Sequence, residues 1–158
     1  MDERVTRLRT PEECEQFILN VADRFSELVR EAHRRAVELR AEAHGAKSAV
    51  ELESLRAVYA YEKALSQTRG KTVRAVRTWQ MIKRHGIIKA VEKAVDRRQT
   101  TAGYKVLVAM GMKDLLFEAV VCRHPEVFSP SALKRSQERL KEWNVGGTEA
   151  SDTAPATG

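Results

Sequence analysis

Ten cationic side chains stand between residues 69 and 98, at Arg69, Lys71, Arg74, Arg77, Lys83, Arg84, Lys89, Lys93, Arg97 and Arg98. The same stretch holds only Glu92 and Asp96 as acids, so its net charge is +8. Residues 1–68 carry a net −2 and residues 99–158 a net 0, so the chain's whole excess of +6 belongs to this one segment. A positive surface of that density draws in phosphate and releases counterions, and it does so without reading a sequence. Lys89, Lys93 and Arg97 are four apart, which puts them on one stripe of a helix, with Ile88, Val91 and Val95 on the opposite side. The partner classes this implies are nucleic acid, bound non-specifically and in a salt-sensitive way, or an acidic protein. The plain alternative is a solvated helix face that keeps the protein soluble. Trp79 lies among the cations, where an aromatic ring can stack on a base. Its neighbours Val76 and Ile82 make it a core residue instead.

Sequence-specific recognition by a helix-turn-helix unit needs apolar residues at fixed offsets around a central turn glycine. Aligned on Gly86, Glu92 falls where an apolar residue belongs; aligned on Gly111, the apolar offsets suit, but the second helix then carries Asp114 and Glu118. One candidate has the charge without the pattern and the other the pattern without the charge, so readout by a standard unit is not expected.

Other chemistry finds little support. His33, His44, His85 and His124 do not pair at metal-ligand spacing, and neither Cys14 nor Cys122 lies near one of them. His85 and His124 suit helix ends, near the negative end of the dipole. Gly70-Lys71-Thr72 ends like a phosphate-binding loop, but Leu65 occupies the place of its leading glycine. No serine or cysteine stands in a nucleophile elbow. The expectation is a protein without catalytic residues, metal ligands or cofactors. The two cysteines are read as reduced thiols.

The elements that must position these residues are helices. Thr10-Pro11-Glu12-Glu13 combines a cap, a first-turn proline and a capping box. Ser26 can cap a second helix, whose apolar positions Leu28, Ala32, Ala36 and Leu39 recur at three and four and which ends at Gly45. Residues 11–44 then form a hairpin in preference to one long helix. Ser48 and Glu51 make another capping box, followed by Leu52, Leu55, Val58 and Leu65. Ser66–Lys71 is polar and is expected to be a linker. Two helices follow around Gly86, the first from Val73 to His85. After a turn at Gln99–Thr101, Tyr104–Met110 and Lys113–Val121 form two largely apolar, buried helices, suited equally to a monomer core or to a homodimer interface. Ser129 caps the last helix, Pro130 occupies its first position, and Phe128 can staple onto Leu133. From Asn144 onward the apolar pattern ends, and a disordered tail is expected.

The fold class is thus all-α, a compact bundle of about six to seven short helices with a disordered C-terminal tail. Its organisation is 1–68 as a helical hairpin plus a third helix, 69–143 as the basic pair and the buried C-terminal helices, and 144–158 as tail. No segment is apolar enough to cross a membrane, and Met1-Asp2-Glu3-Arg4 lacks the layout of a signal peptide, so a cytoplasmic location is expected.

Three runs also carry a resemblance: Ala36–Ala41, Val58–Glu62, and Arg77–Ile88 with its Trp79-Gln80-Met81-Ile82-Lys83-Arg84-His85-Gly86 centre. With Met110–Met112, Phe117–Val121 and Arg123-His124-Pro125, they resemble a group of uncharacterised bacterial helical proteins. Those are related to segments near, or appended to, restriction-type and mobile-element proteins. The similarity spans most of residues 11–143 and implies a DNA-defence or DNA-processing setting. It carries no catalytic residues with it.

Overall fold

A computed structural model describes residues 1–21, 26–97 and 101–143. Among them there are nine α-helices and no strand: α1 Glu3–Thr6, α2 Pro11–Val21, α3 Ser26–His44, α4 Ala49–Arg69, α5 Val76–His85, α6 Ile87–Asp96, α7 Thr101–Ala109, α8 Phe117–Arg123 and α9 Pro130–Glu142. A 3-10 turn over Lys113–Leu115 precedes α8. The count exceeds the expected six to seven partly because a four-residue helix, α1, stands before the Thr10 cap. Its cap is Asp2, whose side chain accepts from the Arg4 N–H at 2.8 Å.

The caps act as their residue types dictate. Thr10 Oγ1 accepts from the Glu13 N–H at 3.1 Å, and Glu13 accepts in return from the Thr10 N–H at 3.2 Å. Ser48 Oγ accepts from the Glu51 N–H at 3.2 Å, but Glu51 reaches one residue further out, to the Lys47 N–H at 3.0 Å. Ser129 Oγ accepts from the Ala132 N–H at 3.2 Å. Phe128 is buried, and Leu133 packs against the same core cluster. Residues 11–44 divide into α2 and α3, which pack against each other. A cap by Ser26 cannot be assigned: Ser26 is already helical, and the capping position falls within 22–25, outside the described residues. The expected tail from Asn144 lies outside them as well.

Three expectations need correction. Ser66–Arg69 is no linker: α4 runs on through Arg69 and ends at Gly70, whose φ of 70° is the left-handed conformation that suits glycine at a helix end. The polar run is compatible with the helix, because the Ser66 and Thr68 hydroxyls are satisfied within it by the Glu62 and Ala64 carbonyls, at 2.9 and 3.0 Å. The following helix begins at Val76, not Val73. The two apolar C-terminal segments also differ in kind. α7 exposes Lys105, Val108 and Ala109, whereas the second segment breaks at Leu116 into the 3-10 turn and α8, which is buried on nearly every side. The helix to Ala109 is therefore amphipathic, with Leu107 and Met110 turned inward.

Helix α4 joins the two core clusters. Ala57 and Val58 meet Val91, Ala94 and Val95 of α6, Phe117, Val120 and Val121 of α8, and Ala132 of α9. Ala60 and Ala64 meet Val37 of α3, Leu107 of α7 and Trp143. The alanines on α4 keep these neighbours close, since a methyl group fills little of the space between helices. Packing thus crosses the change of charge at residue 69.

Two charges enter this core. Glu118, 1% exposed, accepts from Arg139 Nη1 at 2.9 Å. Burial pushes the Glu118 carboxyl above its ordinary range, while the guanidinium draws it back. Arg139 Nη2 also donates to the Arg97 carbonyl, which ties α9 to the end of α6. Removing one member of such a pair strands the other charge and costs about 3–5 kcal/mol.

His33 on α3 is 9% exposed, and its Nδ1 has no hydrogen-bond partner among the described residues. Burial, helped by the charge of Lys63, lowers its pKa from 6.5 to about 4. The folded protein therefore holds His33 neutral where the unfolded chain protonates it. Stability from this group is complete above pH 6.5 and is lost as pH falls toward about 4. Unfolding free energy from urea titrations should fall by up to about 1.4 kcal/mol per pH unit across that window. A His33→Leu variant should show a correspondingly flatter profile; an unchanged slope would show that His33 does not titrate as described.

Candidate nucleic-acid interface

Nine of the ten cations proposed from sequence are described, and every one is exposed: Arg69, Lys71, Arg74, Arg77, Lys83, Arg84, Lys89, Lys93 and Arg97. Arg98 lies outside the described residues. They occupy the end of α4, the connection 70–75, and the helix pair α5–α6.

The apolar residues of α6 dictate which way its cations point. Ala90, Val91, Ala94 and Val95 are each 1% exposed or less, and Lys89 and Lys93 fall on the other side. Arg97 does not continue that stripe as a helical residue. It ends α6 with an extended backbone (ψ 150°), and its side chain is exposed from the helix terminus. On α5, Arg77 and Arg84 are seven apart and share a stripe. Lys83, Arg84 and His85 occupy the last turn of α5, where positive charge meets the negative end of the helix dipole. Gly86, with φ 88° and ψ 164°, joins the two helices directly; its conformation is one that side-chain-bearing residues rarely adopt.

The acids of the segment are occupied elsewhere. Glu92 Oε2 accepts from the Ser129 N–H at 2.6 Å, and its other oxygen lies 3.6 Å from Lys89 Nζ. The glutamate that spoiled the helix-turn-helix pattern is thus the anchor of the loop entering α9. Asp96 lies 3.6 Å from Arg135. Among the described residues, no carboxylate stands within 4.0 Å of Arg69, Lys71, Arg77, Lys83, Arg84, Lys93 or Arg97.

The connection carrying Lys71 and Arg74 is fixed by two residues of α4 that the sequence reading left out. Ser66 Oγ accepts from the Val73 N–H at 2.9 Å. Glu62 Oε2 accepts from the Ala75 N–H at 2.8 Å and from Trp79 Nε1 at 2.5 Å, with Arg74 Nε 3.5 Å away. These partners are 13 and 17 residues from Glu62, beyond any local spacing rule. Trp79 is half-buried, not fully in the core. His44 stacks on it at 5.3 Å, Tyr59 lies tilted at 5.1 Å, and the Arg74 guanidinium sits 5.7 Å from the ring centre. Its expected neighbour Val76 is 57% exposed.

The alternative unit around Gly111 has no free face. Phe117, Glu118, Val120 and Val121 of α8 are buried, and Asp114 is held by Arg34 of α3. No cluster of three metal-ligating side chains occurs among the described residues. Cys14 and Cys122 are free thiols, and burial raises the pKa of both. His85 closes α5 and His124 follows α8, where its Nε2 lies 2.9 Å from Glu53. No described helix is long and apolar enough to cross a membrane. Comparison with protein-family models, curated proteins and solved structures finds no match for the chain.

Glu62 is the link between the core and the basic connection. Replacing it with leucine leaves the Ala75 and Trp79 N–H groups without their acceptor, at a cost of about 1–3 kcal/mol. In a Trp143→Phe background, where Trp79 alone reports, Glu62→Leu should lower urea stability by that amount and shift the emission to longer wavelength. An unchanged spectrum would mean that Glu62 does not hold the ring.

Proposed function

We propose that this chain is a non-catalytic helical protein that contacts nucleic acid non-specifically through the basic surface of α5, α6 and the connection before them. The observation that carries this reading is the exposure of all nine described cations, seven of which have no described carboxylate within ion-pair distance. A positive surface evolved for internal ion pairing would spend its charges on neighbouring acids. This one leaves them free for phosphate, the polyanion that repeats its charge along a line. The half-buried Trp79 and the buried α8 offer no projecting set of side chains to read base edges, which favours backbone contact over sequence recognition. A cytoplasmic location and a DNA-defence or mobile-element setting fit this activity and are proposed with it.

Binding to a short DNA duplex should weaken steeply with salt. If the seven unpaired cations supply most contacts, log K against log[salt] has a slope of about −6. Arg77→Glu/Arg84→Glu/Lys93→Glu should flatten the slope by about 3 and lower affinity more than a hundredfold at low salt. Arg7→Glu on the exposed N-terminal segment should change little. Absence of binding at low salt, or a triple variant that binds like the native chain, would refute the proposal. Copurification of an acidic protein without nucleic-acid affinity would transfer the surface to that partner class.

A further inference from the structure

A cleft of about 420 Å³ lies between α2, α3, α4 and the connection 72–74, at the size usual for small-molecule sites. Its charged lining is Glu15, Arg40, Glu62, Lys63 and Arg74, three cations against two acids. The balance is more uneven than the count. Glu62 is committed to the Ala75 and Trp79 N–H groups and faces Arg74 at 3.5 Å. Glu15 must therefore serve both Arg40, at 2.8 Å, and Lys63, at 3.8 Å. That approach is too long for a hydrogen bond, and Lys63 makes none with another described residue. Its side chain is 16% exposed and forms part of the cleft lining. Burial lowers its pKa, the signature of a cation short of compensation. A mostly buried ammonium whose carboxylate at 3.8 Å is shared with a guanidinium is an arrangement completed by an anion.

The remaining lining sets the rest of the ligand. Tyr59 and His44 present aromatic rings, and Val73 adds apolar surface. A bare ion would leave this surface unused. We infer that the cleft is a binding site for a phosphate monoester carrying a planar ring, of the nucleoside monophosphate class, with Arg40 and Lys63 holding the phosphate. The proposed phosphate-holding pair lies outside the proposed duplex contacts, because neither Arg40 nor Lys63 belongs to the basic segment; Arg74 borders both, and the inference does not rest on that reading. The same group has two sources: a free nucleotide, or the phosphorylated end of a strand.

Calorimetric titration of the full chain with adenosine monophosphate, adenosine and inorganic phosphate tests it. Saturable binding of the monophosphate is expected, with adenosine at least about tenfold weaker. Lys63→Met should weaken the monophosphate about tenfold or more while leaving duplex binding unchanged. Glu15→Gln frees both cations from their shared carboxylate and should tighten it several-fold, an effect that misfolding does not produce. A 5′-phosphorylated oligonucleotide that outbinds its 5′-hydroxyl form, with the advantage lost in Lys63→Met, identifies a strand end; no such advantage identifies the free nucleotide. No monophosphate binding up to about 10 mM, equal binding of adenosine, or Glu15→Gln without tightening would overturn the site.

Discussion

Val91, Ala94 and Val95 lie inside the first core cluster and Ala90 is buried too, so α6 has one rotation about its axis that buries all four, and that rotation sends Lys89 and Lys93 to solvent. Each valine withdrawn from water stabilises this orientation by about 1.5–3 kcal/mol, far more than the solvation of a lysine stem could offset. The helix is then held at its middle and at its C-terminal end. Glu92 binds the Ser129 N–H, and the carbonyl of Arg97 receives Arg139. The charged surface is thus the outer side of an apolar constraint. Cations on α5 inherit their position from it, because Gly86 allows α5 and α6 to pack directly.

The same constraint fits the proposal of non-specific contact. A reading head must project from the protein, and the one helix that follows a well-patterned turn, α8, is buried along with its glutamate. The charges of Glu118 and Arg139 are turned into the core. They neutralise each other within the core and serve to register α8, α9 and the end of α6. Cations that remain outside have no fixed array of acceptors to match, and non-specific phosphate contact requires none.

Much of the fold could be seen in the sequence because its signals are local. The Thr10, Ser48 and Ser129 caps, the stop at His85-Gly86 and the outward placement of Lys89 and Lys93 each depend on residues within a turn or two. What escaped depends on distance or on partners. Ser66–Arg69 looks like a linker until the Ser66 and Thr68 hydroxyls are seen to bond back along the helix. Glu118 looks like a solvent-side charge until Arg139, 21 residues on, is placed beside it. The cleft between α2, α3 and α4 draws Glu15, Arg40 and Lys63 from three helices, and no spacing rule connects them. The basic surface was legible because charge density survives any reasonable folding of an amphipathic helix; the groups that hold it in place were not.

Lysine modification footprinting with a DNA duplex bound tests the central claim most directly, since it reports which surface meets phosphate. Lys71, Lys83, Lys89 and Lys93 should lose reactivity toward an amine reagent in the complex, while the exposed Lys105 and Lys113 on the C-terminal side keep theirs. Protection spread evenly over all lysines, or confined to Lys105 and Lys113, would contradict the account.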